Sequence, residues 1–215
     1  MNFQIAAQYL PELLKALGTS VYVTAIGFIA GALIGMPLAL AKSGKTALLS
    51  WPSRAYIEVF RNTPLLVQLY LFYFGLGQIG INLSPIVSVV LGLTLNNAAY
   101  TAEIFRAGLQ SVPDGLKEAA TVLGLSRTQE FRYILLKPAI RNTLPALTNQ
   151  LIVLFLFSSV ASVISLNELT NELNQLVSQT QLTLELFAFG AALYYAVSAV
   201  LALMSRVAEK TVFRW

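Results

Sequence analysis

Ten carboxylates and fourteen lysines and arginines, with no histidine and no cysteine, make up the charged and redox-active side chains of this 215-residue chain. Without histidine the usual metal ligand and the commonest general base are gone. Without cysteine there is no disulfide, thiolate or cysteine–zinc chemistry. The acidic residues form no metal-type cluster, so covalent catalysis has little to work with. Four charges stand out because they interrupt apolar sequence: Glu58, Arg61, Glu103 and Arg106. Each costs about 2.5–3.5 kcal/mol to insert into a bilayer, so each needs a partner or a solute. Glu103 and Arg106, three apart on one helix face and near its inner end, suit each other. Arg61 can satisfy Glu103 or the carbonyls freed near Pro64. Glu58 has no same-helix cation but Arg61, which makes it the best solute-facing carboxylate. Asn62, Thr94, Asn96, Asn97, Tyr100, Ser158, Ser159 and Ser162 bring further polar groups into apolar stretches and are candidates to line a passage. The competing reading is hydrogen bonding between packed helices.

These side chains must be held by membrane helices. The composition is 56% hydrophobic and only 11% charged, against about 25% charged in soluble domains. Mean hydropathy is +0.68. The pattern predicts an all-α membrane protein, a single domain over 1–215, with five spans of about 20–25 residues each. They cover about 17–41, 56–77, 85–109, 143–165 and 184–205. Residues 1–16 form an amphipathic lead along the membrane surface. The lead does not read as a cleaved leader, since its first basic residue is Lys15. Lysines and arginines crowd the loop after span one, the loop after span three and the tail (Lys42, Lys45, Arg54; Lys117, Arg127, Arg132, Lys137, Arg141; Arg206, Lys210, Arg214), while loops 75–84 and 166–183 have none. The asymmetry places the amino terminus outside and the carboxyl terminus in the cytoplasm. The net charge of +4 is scattered, which gives nucleic-acid binding no support. In span one, Gly27, Gly31 and Gly35 repeat at four-residue spacing, a small-residue face for close helix approach, within the chain or between subunits.

The long cytoplasmic loop, residues 110–142, reads as two short helices. Ser111 caps the first, with Pro113 and Asp114 in its opening turn. Leu116, Ala119, Ala120 and Leu123 share its apolar face, and Lys117, Glu118 and Thr121 face away. Gly124 ends it in the left-handed conformation. Ser126 and Gln129 form a capping box for the second helix, with Phe131, Ile134 and Leu135 on its apolar face, and Pro138 interrupts it. Periodicity alone equally allows a surface hairpin with no partner.

Glu118-Ala119-Ala120, then Gly124, then Ile134-x-Leu136 resembles the EAA signature of ABC-transporter permease subunits, although Lys137 stands where that family has proline and Pro138 follows one place late. Phe60-Arg61-Asn62-Thr63-Pro64-Leu65-Leu66-Val67-Gln68 is similar to the FRGTPLLVQ stretch of the polar-amino-acid permeases. The stretches Asn97–Gly108, Leu144–Gln150, Ser162–Ser165 and Glu168–Thr170 extend the likeness over nearly the whole chain. In span four this chain has Leu156-Phe157 where that family often has a Lys-Asp pair. The resemblance implies a type I importer-like permease, a transport subunit and not an enzyme, in a bacterial inner membrane. It also implies two cytoplasmic ATP-binding subunits that hold ATP and Mg, an extracytoplasmic solute-binding protein and a second permease subunit, identical or similar. The helix carrying Glu118, Ala119, Ala120, Gly124, Leu125 and Ser126 would dock on the ATPase. Gly44-Lys45-Thr46 is not a phosphate loop of its own, because position 39 is alanine and no strand precedes it. If the missing Lys-Asp pair borders the passage, Glu58 is less compensated and the substrates are basic amino acids: arginine, lysine or histidine. The rival reading is an ion-gradient-coupled carrier or channel with Glu58 or Glu103 as its ion site.

Overall fold

The computed structural model describes residues 3–44 and 46–212. Lys45 and Arg214 lie outside the described residues, as do the side chains of Lys117, Arg127 and Lys210. Among the described residues there is no strand; the chain is almost entirely helical. The helices are α1 (Phe3–Ala7), α2 (Leu10–Ser43), α3 (Ala47–Arg61), α4 (Leu65–Tyr70), α5 (Leu76–Gln78), α6 (Pro85–Gln110), α7 (Asp114–Val122), α8 (Arg127–Gln129), α9 (Leu136–Phe157), α10 (Leu169–Thr180) and α11 (Thr183–Val212). A π-helical stretch, Leu71–Gly75, joins α4 to α5, another, Glu130–Leu135, joins α8 to α9, and a 3-10 stretch, Ser158–Ile164, prolongs α9.

Among the described residues, three segments are long and apolar enough to cross a membrane: Leu10–Ser43, Glu130–Ile164 and Thr183–Glu209. The other two expected spans differ in kind. α6 is a 26-residue helix that carries Thr94, Asn96, Asn97 and Thr101 on largely buried surface. These polar groups are buried against neighbouring helices, where hydrogen-bond partners can satisfy them. The expected span 56–77 is two helices, because Pro64 has no amide to continue α3 and adopts an extended ψ of 139°. Asn62 Nδ2 donates to the Glu58 carbonyl at 2.8 Å and Thr63 Oγ1 to that of Val59 at 2.8 Å, closing the frayed end.

The glycine face of α2 joins it to α6 within the chain. A Cβ on Gly27 would sit 2.8 Å from Leu93 Cβ, and one on Gly31 would sit 2.7 Å from Asn97 Nδ2; one on Gly35 would strike Thr101 Oγ1. At this separation Thr101 Oγ1 lies 3.2 Å from the Gly31 carbonyl, and Asn97 Nδ2 donates to the Phe28 carbonyl at 3.1 Å. Gln150 Nε2 on α9 donates to Asn97 Oδ1 at 3.1 Å, adding a third helix. Around this seam Val23, Leu69, Val89, Leu93, Leu154 and Ile164 make the main apolar core.

Several local expectations give way to tertiary structure. Residues 10–16 do not lie apart on the membrane surface; they are the first turns of α2, and Leu13 and Ala6 are buried against Leu169, Leu173 and Leu186. The stretch 166–183 is not a bare loop, since it contains the amphipathic helix α10. Ser111 does not cap α7: its hydroxyl donates to the Gly108 carbonyl at 2.7 Å and accepts from Asn142 Nδ2 at 2.8 Å, so it finishes α6. Pro138 does not interrupt the second helix of the 110–142 loop, which runs on into α9. The proline ring crowds the carbonyl four residues earlier, and the π turns just before it widen the helix enough to continue.

Candidate functional site

α2 ends one residue after Lys42, and there α3 and α6 meet it around a polar cavity of about 280 Å³ lined by Lys42, Ile57, Glu58, Arg61, Asn62 and Tyr100. Three of the expected solute contacts, Glu58, Asn62 and Tyr100, therefore share one space. Ala39, Ile57 and Ala102 form the small apolar core behind it. Tyr56 OH donates to the Leu95 carbonyl at 2.7 Å, which locks α3 to α6.

Beside the cavity, Glu103 is the hub of the charges. Lys42 Nζ lies 2.7 Å from its Oε1, Arg106 Nη2 2.8 Å from its Oε2, and Arg61 Nη1 3.9 Å from Oε2. Glu103 and Arg106 do pair, as their spacing suggests. Lys42, on another helix, is the partner that sequence reasoning missed; the only signal was its place at the end of an apolar stretch. Arg61 is barely within reach of Glu103 and instead lies with Cζ 5.3 Å from the Tyr100 ring centroid, a cation–π contact. Glu58 is exposed to the cavity, and among the described residues no cation lies within ion-pair distance of it. One unpaired carboxylate, one loosely held guanidinium, the Lys42 ammonium paired to Glu103, an amide and a phenol thus line the same space beside Ile57. That set can bind a small solute carrying both signs of charge.

The remaining candidates are not at this cavity. Asn96 donates from Nδ2 to Gln68 Oε1 at 3.1 Å and lies 3.4 Å from the Phe60 carbonyl, at the α3–α4 break. Asn97 is occupied in the α2–α6–α9 seam. Thr94 borders a separate, mostly apolar groove with Tyr22, Ile26 and Val90. The hydroxyls of Ser158, Ser159 and Ser162 donate to the carbonyls of Phe155, Leu156 and Ser159 at 2.6, 2.7 and 2.8 Å, which tightens the 3-10 end of α9.

The two-helix element of residues 110–142 is built by local rules. Gly124 has φ +68°. The Gly124 amide donates to the Thr121 carbonyl at 3.0 Å and the Leu125 amide to that of Ala120 at 3.1 Å, a Schellman end. The Ser126 amide donates to Gln129 Oε1 at 2.9 Å and the Gln129 amide to Ser126 Oγ at 3.4 Å, the reciprocal capping box. Ala120 is buried and Leu125 half-buried, whereas Glu118, Ala119 and Ser126 are exposed. Val122 and Leu123 are 88% and 72% exposed, apolar side chains that the described residues leave uncovered.

At the opposite end, Glu168 is fully buried and caps α10. It accepts from the amides of Asn171 at 2.8 Å and Thr170 at 3.0 Å, from Tyr194 OH at 3.1 Å and from Ser20 Oγ at 3.2 Å. Burial pushes its carboxyl above the usual carboxylate range, and these hydrogen bonds only partly offset that.

A helical bundle with three helices apolar and long enough to cross a membrane, a polar cavity and an exposed two-helix element has the architecture of a membrane transport subunit, an all-α permease of the type I importer kind. The chain matches the binding-protein-dependent transport system inner membrane component family over residues 10–214 and belongs to it. It is 36% identical over 209 residues to YckA of Bacillus subtilis (strain 168), named a probable amino-acid ABC transporter permease protein, with 97% of this chain and 92% of that one covered. It is 32% identical over 211 residues to ArtQ of the same organism, named an arginine transport system permease protein, with 98% and 96% covered. A crystal structure described as an amino acid ABC transporter with histidines has a chain that superposes with TM-score 0.93 at 35% identity, covering 98% of both chains.

Proposed function

We propose that this chain is the membrane subunit through which an ATP-driven importer brings polar amino acids into the cell, with a preference for the basic ones, arginine, lysine and histidine. The observation that carries the ATP-driven reading is the uncovered apolar tip of the cytoplasmic element, Val122 and Leu123 beside the Schellman end at Gly124. An ion-coupled carrier has no use for such an element. Two cytoplasmic subunits that hold ATP and Mg would cover it, an extracytoplasmic solute-binding protein would load the opposite face, and a second permease chain would complete the pathway. The orientation follows the lysine and arginine asymmetry, amino terminus outside and carboxyl terminus inside. ATP drives the switch only if its binding energy differs between the two arrangements of the bundle. The preference for basic solutes rests on Glu58, a carboxylate with no cation within ion-pair distance among the described residues, at the cavity it shares with Lys42, Arg61 and Tyr100. An amino acid's carboxylate suits Arg61, and a cationic side chain suits Glu58.

The test is uptake of labelled arginine by vesicles containing the complex purified with its co-expressed partners. Uptake requires nucleotide, and unlabelled arginine competes at least tenfold better than glutamine. Uptake without nucleotide removes the ATP-driven reading, and equal potency of the two competitors removes the basic preference.

A further inference from the structure

The cavity-lining residues Ile57, Glu58 and Arg61 of α3, and Asn62 just after it, lie at or just before the helix break at Pro64, where helices are least constrained. In an unbroken helix the Phe60 carbonyl would accept from the amide of residue 64; proline at that position has none. The carbonyl is not left open. Gln68 Nε2, one turn into the next helix, donates to it at 3.0 Å and also lies 3.1 Å from the Thr63 carbonyl and 2.8 Å from Thr63 Oγ1. The other end of the same carboxamide accepts from Asn96 Nδ2 on α6 at 3.1 Å. Gln68 is 5% exposed and Asn96 is 3% exposed, so water does not compete for these groups. Leu69, next in sequence and fully buried in the main core, fixes the backbone from which Gln68 reaches.

We propose that Gln68 is a positioning residue: its carboxamide replaces the amide that Pro64 lacks and, through Asn96, ties the end of α3 to α6, which sets where Glu58, Arg61 and Asn62 stand against Tyr100. Gln68 does not line the cavity, so it acts on the solute only through the turn it holds. A buried amide satisfied at both ends fixes one arrangement, since losing either end leaves an unpaired polar group. The effect on transport rests on the reading of that cavity as the solute's path, whereas the effect on geometry does not.

Both are measurable in the complex purified with its co-expressed partners and placed in lipid discs. The chain has no cysteine, so Val59→Cys and Ala107→Cys, at exposed positions of α3 and α6 away from the cavity lining, accept spin labels cleanly. Electron–electron distances between them form one narrow distribution with Gln68 present, and a broadened or shifted one in Gln68→Leu. Gln68→Glu, isosteric but unable to donate, gives the same broadening and serves if the leucine variant does not assemble. In the unlabelled complex KM for arginine rises about five- to tenfold, the equilibrium factor of one net hydrogen bond, while the maximal rate changes less. Adding Asn96→Leu to Gln68→Leu costs less than the sum of the two single changes. An unchanged distance distribution in both Gln68 variants overturns the proposal. A normal distribution shift without any arginine transport by the unsubstituted complex confirms the tie and refutes only the transport reading.

Discussion

Gly18 and Gly31 lie on the same helix, α2, and the structure predicts opposite signs for the same substitution at the two positions. Alanine in place of glycine gains about 0.5–1 kcal/mol in a helix interior from lower chain entropy in the unfolded state. At Gly18 nothing lies within 4 Å of the added methyl, so that gain stands alone. At Gly31 the methyl would sit 2.7 Å from Asn97 Nδ2, 2.8 Å from Asn97 Cβ and 2.9 Å from the Thr94 carbonyl. Two of these are close to backbone or to the root of a side chain, so α2 and α6 must separate. Overpacking of this kind costs about 1–3 kcal/mol. Separation also stretches the Asn97–Phe28 and Thr101–Gly31 contacts, each worth about 0.6 kcal/mol between membrane helices. The net expectation is a gain of about 0.5–1 kcal/mol for Gly18→Ala and a loss centred on about 2.5 kcal/mol for Gly31→Ala, once its own propensity gain is subtracted. Reversible unfolding of the purified chain by steric trapping in bicelles measures both. If Gly31→Ala proves as stable as Gly18→Ala, the close α2–α6 approach is not what holds the two helices together.

Two further outcomes follow from sites at opposite ends of the bundle. Gly124→Trp puts a bulky residue at φ +68°, a strain of about 1–2 kcal/mol, and projects it where nothing lies within 4 Å. Membrane insertion and folding should survive while the co-expressed ATPase no longer co-purifies, and unchanged recovery in a pull-down would contradict a docking role for this turn. Glu168 has its folded-state pKa raised by burial. Between the ordinary carboxylate value and that raised one, the folded chain holds a proton that the unfolded chain has lost, so this group makes stability fall as pH rises through the window. The thermal midpoint should therefore rise as pH is lowered from neutral toward about 5. Glu168→Gln, which keeps an acceptor and cannot ionise, should flatten that slope relative to the parent chain. Identical slopes in the two would show that the carboxyl does not carry the effect.

What the sequence determined by itself is whatever depends on composition or on residues within about one helical turn. The membrane setting follows from apolar content. The Schellman end at Gly124, the Ser126–Gln129 capping box, the Glu103–Arg106 pair and the break at Pro64 all join residues four or five apart at most, so near-neighbour geometry fixes them. The same local view misled where a longer-range force was stronger. Ser111 looked like the start of α7 but is claimed by α6 and Asn142, and Pro138 looked like a stop but is absorbed by π turns.

Tertiary structure alone decided which distant side chains meet. Lys42 reaches Glu103, 61 residues away, and Ser20 reaches Glu168, 148 residues away. The amide of Gln68 replaces one that Pro64 cannot supply, and the glycine face of α2 turns to α6 and not outward. Each of these depends on the register and separation of two packed helices. Those are set by the joint fit of many side chains, and no single stretch of sequence contains them.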